Sequence, residues 1–558
     1  MLDEQAKNNK VTVNRIAEKQ PEEALYEATS PGWADYVHLY PPHRYLCGRE
    51  RRRVSHDPQR RLYRILLVRR FEMNYIPTTS SETGSYLCTW DRQGFVASKY
   101  KFSGGANVRD ALTPEYLFGD EENYHWLPRE YRSGLYFLLD DGWDTPPHTE
   151  NNGRSNPFGA VDPHPDKFGS LGGTATERLP ALNKLAQEWG YIGLGLWISP
   201  QMYMEDRRTG AEEARAYWIE RAIRCRDAGV RYWKVDWGMH DHEVDYRRML
   251  TEVVREYAPD LAVEHTYVQM PLTDLICRED RRRESRAVLA FSDFFRTYDV
   301  MWPFSDSTTL ARIHELLSDP LPFELGAKGV LSTEEMQFIA AGLGCAIGIM
   351  NPAVETRAVL RWHRIAPPFG VSESNYRFSE EMLTDSYDYP KNPVRWVHTA
   401  GSVIRETAPA VMARGCALPT VDPIGHEKPY VLASRNPNTG AYAIASIRRT
   451  IAPNPMTIVP ADVTWDVEDM DAFVGVFGYF ESLTLVYPQE LSADFRVFAQ
   501  NLMDDEAQDI TDRVQVAGNR MTIPARTLMQ IGACNYAYPN MEGQKMTDPM
   551  LLIKLEKK

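Results

Sequence analysis

The chain lacks several features that would settle its class at once. It has no run of about eighteen apolar residues, so no transmembrane helix is expected. Cysteine is scarce. The 558 residues hold seven, Cys47, Cys88, Cys225, Cys277, Cys345, Cys416 and Cys534, never in CxxC spacing. An odd, scattered set argues against a zinc site or a disulfide framework and reads as reduced structural thiols. An excess of positive charge is also missing, since 63 Lys+Arg against 77 Asp+Glu leave a net charge of −14. An acidic surface repels phosphate backbones and argues against a nucleic-acid partner. No phosphate loop, GxGxxG fingerprint, HExxH or GxSxG occurs, and no cofactor is expected. The start, MLDEQAKNNK, has no charged-then-apolar leader pattern. That fits a cytoplasmic protein, or an exported one whose leader has been removed.

What is present is ordinary globular composition, 43% hydrophobic and 25% charged, in a chain too long for one ordinary domain. Residues 1–78 are polar, carry the basic cluster Arg49, Arg51, Arg52 and Arg53, and read as an N-terminal extension or small β unit. From about residue 84 short apolar runs alternate with helix-like stretches: SYLCTWDRQ, LYFLLDDGWD, YIGLGLWISP, VRYWKVDWG, LAVEHT and DFFRTYDVMW. Ser332 and Glu335 are spaced as a capping box ahead of a small-residue helix. Buried strands alternating with helices predict a (β/α)8 TIM barrel over 79–415, an α/β architecture. The remainder, 416–558, alternates in strand style around turns such as Asn436–Gly440, shows no helical period after about residue 425, and predicts an antiparallel β-sandwich. The tail, MTDPMLLIKLEKK, is either a last strand or a frayed end.

Barrel enzymes carry their chemistry at the C-terminal ends of the strands. The second run ends in Asp140, Asp141, Gly142 and Trp143, the fourth in Lys234, Val235, Asp236 and Trp237, and the fifth in Glu264 and His265. The sixth carries Arg296 and Asp299, the first Trp90 and Asp91, and the third Trp197. Carboxylates, two cations and several indoles thus converge on one rim. Hydroxyl-rich ligands need charged acceptors and donors, and the apolar faces of sugars suit indoles. Lys234 and Asp236 are two residues apart on a strand, so both face the barrel mouth. The ammonium favours an ionised Asp236, as a nucleophile requires. Asp299, two strands further round, can face Asp236, and a carboxyl separation near 5–5.5 Å would mean a retaining double displacement.

DDGW at Asp140–Trp143, GLWISPQM at Gly195–Met202, YWKVDWG at Tyr232–Gly238 and LSTEEMQFIAAGLGCAIGIMNP from Leu331 resemble glycoside hydrolase clan D. This clan holds the α-galactosidases and α-N-acetylgalactosaminidases of families 27 and 36. The resemblance covers about residues 84–538. It implies a retaining exo-acting hydrolase of terminal α-galactose-type sugars, with Asp236 as nucleophile and Asp299 as acid/base. It implies Lys234, Asp140 and Asp141 as ligands of the O3, O4 and O6 hydroxyls, Arg296 and Glu264 on the O2 side, and Trp90 as the aromatic wall. Trp143 and Trp197 complete the expected sugar-binding set. The implied partner is an oligosaccharide or glycoconjugate, with no membrane involved, and a homo-oligomer is compatible with the sequence.

Two departures from the clan's pattern stand out. Ser199, Pro200 and Gln201 replace an acidic Glu-Pro-Glu, and Arg296 and Asp299 lie one residue closer than usual, which leaves Asp293 and Asp306 as reserve acids. Four readings stay open on the residues alone: a hydrolase, including α-N-acetylgalactosaminidase or β-L-arabinopyranosidase specificity; a transglycosylase on the same scaffold; a non-catalytic sugar-binding barrel; and a metal hydrolase using His240, Asp241 and His242.

Overall fold

The computed structural model describes residues 73–557, apart from 104–105, 150–156, 206–209, 268–277, 298–305, 389–402, 452–455 and 537–544. The basic cluster at 49–53 and most of the expected N-terminal unit lie outside the described residues, as do Cys47 and Cys277. The other five cysteines are free thiols.

Eight parallel strands close into a barrel in chain order. They are β1 (Tyr86–Cys88), β2 (Tyr136–Leu139), β3 (Gly193–Ile198), β4 (Tyr232–Val235), β5 (Ala262–His265), β6 (Phe294–Arg296), β7 (Val330–Glu334) and β8 (Ala346–Ile349). Nearly every strand residue is buried, because one face packs on helices and the other fills the barrel. This explains the unbroken apolar runs. Inside, Tyr86, Cys88, Tyr136, Leu138, Tyr232 and Met350 form a separate core. Outside, amphipathic helices such as Ala211–Asp227 and Val244–Tyr257 bury Trp218, Leu250, Val253 and Val254.

The expected capping box is not one. Ser332 lies within β7, opposite Arg296 of β6, and the helix starts only at Gln337. Glu335 takes a left-handed backbone, φ 57°. Its carboxylate accepts the backbone N–H groups of Met350 and Asn351, the latter at 2.8 Å. Tertiary closure of β7 onto β6 and β8 overrode a local signal.

Beyond the barrel, sheet strands begin at Tyr376–Phe378, ahead of residue 416, because that strand pairs with Val411–Arg414. An eight-stranded and a five-stranded sheet face each other over Trp465, Phe480, Leu483 and Leu485. Most of the pairings are antiparallel, with parallel neighbours such as Tyr442–Ile447 and Val474–Phe477. The tail forms Met550–Lys557, an interior strand of the larger sheet. Residues Ala525–Gly532 are a helix where only strands were expected. Thr527, Leu528, Ile531 and Gly532 are buried on one side of it, a helical spacing too short to separate from alternation. The barrel helix Gln337–Leu343 rests on the larger sheet. A Cβ on its Gly342 would stand 2.8 Å from Ala445 Cβ, so glycine permits the close approach.

Candidate active site

The site is built from the ends of β2, β3 and β4. Asp140 follows β2 and turns into the barrel, and its backbone N–H is held by Thr89 Oγ1 at 2.8 Å. Its Oδ2 accepts from Lys234 Nζ at 2.7 Å and from Cys88 Sγ at 3.1 Å. Lys234 Nζ also lies 3.9 Å from Asp236 Oδ2. Burial and Arg296 oppose the Lys234 charge, yet Asp140, Cys88 and Asp236 outweigh them and hold its pKa above the ordinary value. Lys234 is therefore an ammonium. Trp197 donates its indole N–H to the same Asp236 oxygen at 2.9 Å. Two donors thus converge on a carboxyl that is 5% exposed, an arrangement that stabilises negative charge.

Asp141 turns the other way. Arg109 grips it with Nε at 2.8 Å and Nη2 at 2.7 Å. Burial works against the Arg109 charge, but Asp141 outweighs it and raises the pKa. Gly142, φ 111°, explains the Asp-Asp-Gly order, since a Cβ there would stand 2.5 Å from Arg109 Cβ. Behind this turn Lys167 donates to the carbonyls of Arg109 and Gly142. Burial lowers the Lys167 pKa to about 8 and raises that of neighbouring Asp144 to about 7.

Several of the expected sugar ligands are engaged with other residues. Trp143 and Trp197 are 0% and 1% exposed. Trp143 donates to the Trp197 carbonyl at 2.8 Å, and Trp197 holds Asp236, so both support the site from behind. Glu264 and Arg296 are each 0% exposed inside the barrel. Glu264 accepts from Tyr86 at 3.1 Å, Tyr232 at 2.9 Å and Arg296 at 3.2 Å. Arg296 also pairs with Glu334. The pair expected on the O2 side thus sits in a buried ionic network, because Arg296 needs two carboxylates to be tolerated there. Trp90 is half-buried at the start of helix Trp90–Lys99 and packs on the barrel-interior core. Asp299 lies outside the described residues. Of the reserves, Asp293 pairs with Arg255 at 2.9 Å and caps Val263 N. Asp306 begins helix Asp306–Leu317, its pKa raised by burial and by Asp385.

His265 points away from the mouth. Its ring meets Thr251 Oγ1 at 2.8 Å and Arg247 at 3.3 Å, and burial with Arg247 keeps it neutral. Gln201 is buried and accepts from Met239 N at 2.9 Å, bracing the turn after the candidate nucleophile. His240 lies between Glu205 at 3.0 Å and Glu243 at 2.9 Å, and His242 is 3.8 Å from Asp241.

Sequence reasoning missed Arg109, Cys88, Arg247, Tyr86, Tyr232 and Glu334. Arg247 donates to the carbonyls of Val235, Asp236 and Thr266 and ties β4 to β5. Tyr86 and Tyr232 stand two residues before Cys88 and Lys234, so period-two alternation could have placed them on the inner face. Arg109 and Arg247 come from helices, and no local signal marks them.

No protein-family model matches the chain, and no curated protein matches it. Among solved structures, a family 27 β-L-arabinopyranosidase from Geobacillus stearothermophilus shows 10% identity, a TM-score of 0.35 and coverage of 86% of this chain and 96% of that one. Alpha-galactosidase I from Mortierella vinacea shows 9% identity and a TM-score of 0.34 over 86% and 98%. The catalytic domain of xylanase C from Talaromyces cellulolyticus shows 7% and 0.30 over 86% and 99%. Likeness at this level assigns neither family nor activity.

Proposed function

We propose that the protein is a retaining exo-acting glycoside hydrolase that removes terminal α-galactose-type sugars. The observation that carries this is the Lys234 ammonium set between Asp140 and Asp236, with Trp197 on the Asp236 oxygen. Asp236 attacks the anomeric carbon and forms a glycosyl-enzyme, while Asp299 gives a proton to the leaving oxygen. Asp299 then takes a proton from water, which attacks the same carbon, frees Asp236 and restores the configuration. Lys234 and Asp140 pair as donor and acceptor for adjacent sugar hydroxyls. Asp141, oriented by Arg109, keeps lone pairs for a further hydroxyl. The substrate is an oligosaccharide or glycoconjugate.

The test is hydrolysis of p-nitrophenyl α-galactoside and its N-acetylgalactosamine, β-L-arabinopyranoside and α-glucoside relatives, with the first-formed anomer followed by NMR. Retained product from the wild type and none from Asp236→Asn is expected. A folded wild type that releases nothing from any of the four, or inverted product, would overturn the proposal.

A further inference from the structure

Trp237 follows the candidate nucleophile directly. It is half-buried, whereas Trp143 and Trp197 are closed off from solvent. Its ring lies edge-on to Trp197 at 5.3 Å and to Phe158 at 4.9 Å. Both backing rings are buried, so Trp237 is the outer member of a rigid aromatic cluster. Its backbone is equally fixed. A Cβ on Gly238 would stand 2.4 Å from Ser199 Oγ, Met239 N donates to Gln201, and His240 N donates to the Pro200 carbonyl at 3.2 Å. Among the described residues the Trp237 indole N–H has no hydrogen-bond partner. An immobile apolar face with a spare donor at its edge is the equipment for a pyranose ring, whose C–H face stacks while a hydroxyl accepts.

Position says which ring. The barrel is closed below Asp236 by Lys234, Asp140 and the Glu264–Arg296 network. A terminal sugar therefore enters with its non-reducing end down and its leaving group toward the mouth. The strand ends at Val235, so Asp236 and Trp237 lie in the bend that leads the chain off its C-terminal end, with Trp237 the further along. We infer that Trp237 is the platform for the saccharide unit beyond the scissile bond, and that the preferred substrates carry a pyranose as leaving group. This rests on Asp236 being the nucleophile.

The experiment compares kcat/KM for α-galactosyl fluoride, which has no leaving ring, with that for an α-galactosyl disaccharide, in wild type, Trp237→Phe and Trp237→Ala. Trp237→Ala should lower the disaccharide-to-fluoride ratio about tenfold, chiefly through KM, and Trp237→Phe should recover part of it. Loss to the same factor on both substrates, or on neither, would overturn the platform while leaving the hydrolase reading intact. A folded wild type inactive on both removes the nucleophile assignment and the platform with it. Trp237→Phe keeps the question answerable if the alanine variant fails to fold.

Discussion

Arg109 meets Asp141 through both carboxylate oxygens, at 2.8 and 2.7 Å, across the glycine that follows the acidic pair. Both partners are buried. Removing one leaves an uncompensated charge, whereas removing both leaves none. Arg109→Met should therefore lower unfolding free energy by about 3–5 kcal/mol in urea titrations, and adding Asp141→Asn should restore part of it. Strictly additive losses would show that the pair is not coupled.

Lys234→Met would leave the Asp140 and Asp236 carboxylates without their shared cation. Turnover of any substrate should fall on the order of a hundredfold or more, together with a stability loss of about 3–5 kcal/mol. Near-normal activity in the variant would mean that this ammonium is dispensable to the site.

Trp197→Phe keeps an aromatic ring but removes the N–H that reaches Asp236, together with the pyrrole half of a fully buried indole. We expect kcat to fall about tenfold, equivalent to one hydrogen bond to a charged group, along with a lower melting temperature from the cavity the smaller ring leaves. A large melting shift with unchanged kcat would make the indole a packing residue alone.

Asp144 supplies a pH signature. Burial raises its pKa from 3.8 to about 7, Asp141 adds to the rise, and Lys167 and the Val161 N–H oppose it. The folded state therefore favours the protonated acid. Its contribution to stability is present below the unfolded pKa and is lost as pH rises through about 7. Urea midpoints should decline between pH 4 and 7 in the wild type, and less so in Asp144→Asn. Parallel profiles would remove Asp144 as the cause.

Glu264→Gln distinguishes a buried network from a sugar ligand. The network predicts a stability loss of about 3 kcal/mol and an unchanged KM in the folded fraction. A normal unfolding midpoint with a raised KM would return Glu264 to the substrate side.

The barrel was legible because its strands are buried on both faces, which writes itself as apolar runs spaced by helices. Lys234 and Asp236 could be placed on one inner face because strand alternation is local geometry. The depth of a side chain along the barrel axis is not local. Glu264 and Arg296 ended in the interior because Tyr86, Tyr232 and Glu334, far apart in the chain, supply the partners that a buried ion pair requires. Likewise Trp143 and Trp197 look like sugar platforms in sequence, and only packing turned their faces inward. Sequence alone determined which chemical groups stand at the C-terminal ends of the barrel strands. Tertiary structure decided which of them face the mouth and which are spent holding the others, because a charge in the low dielectric of the interior is costly unless a partner offsets it.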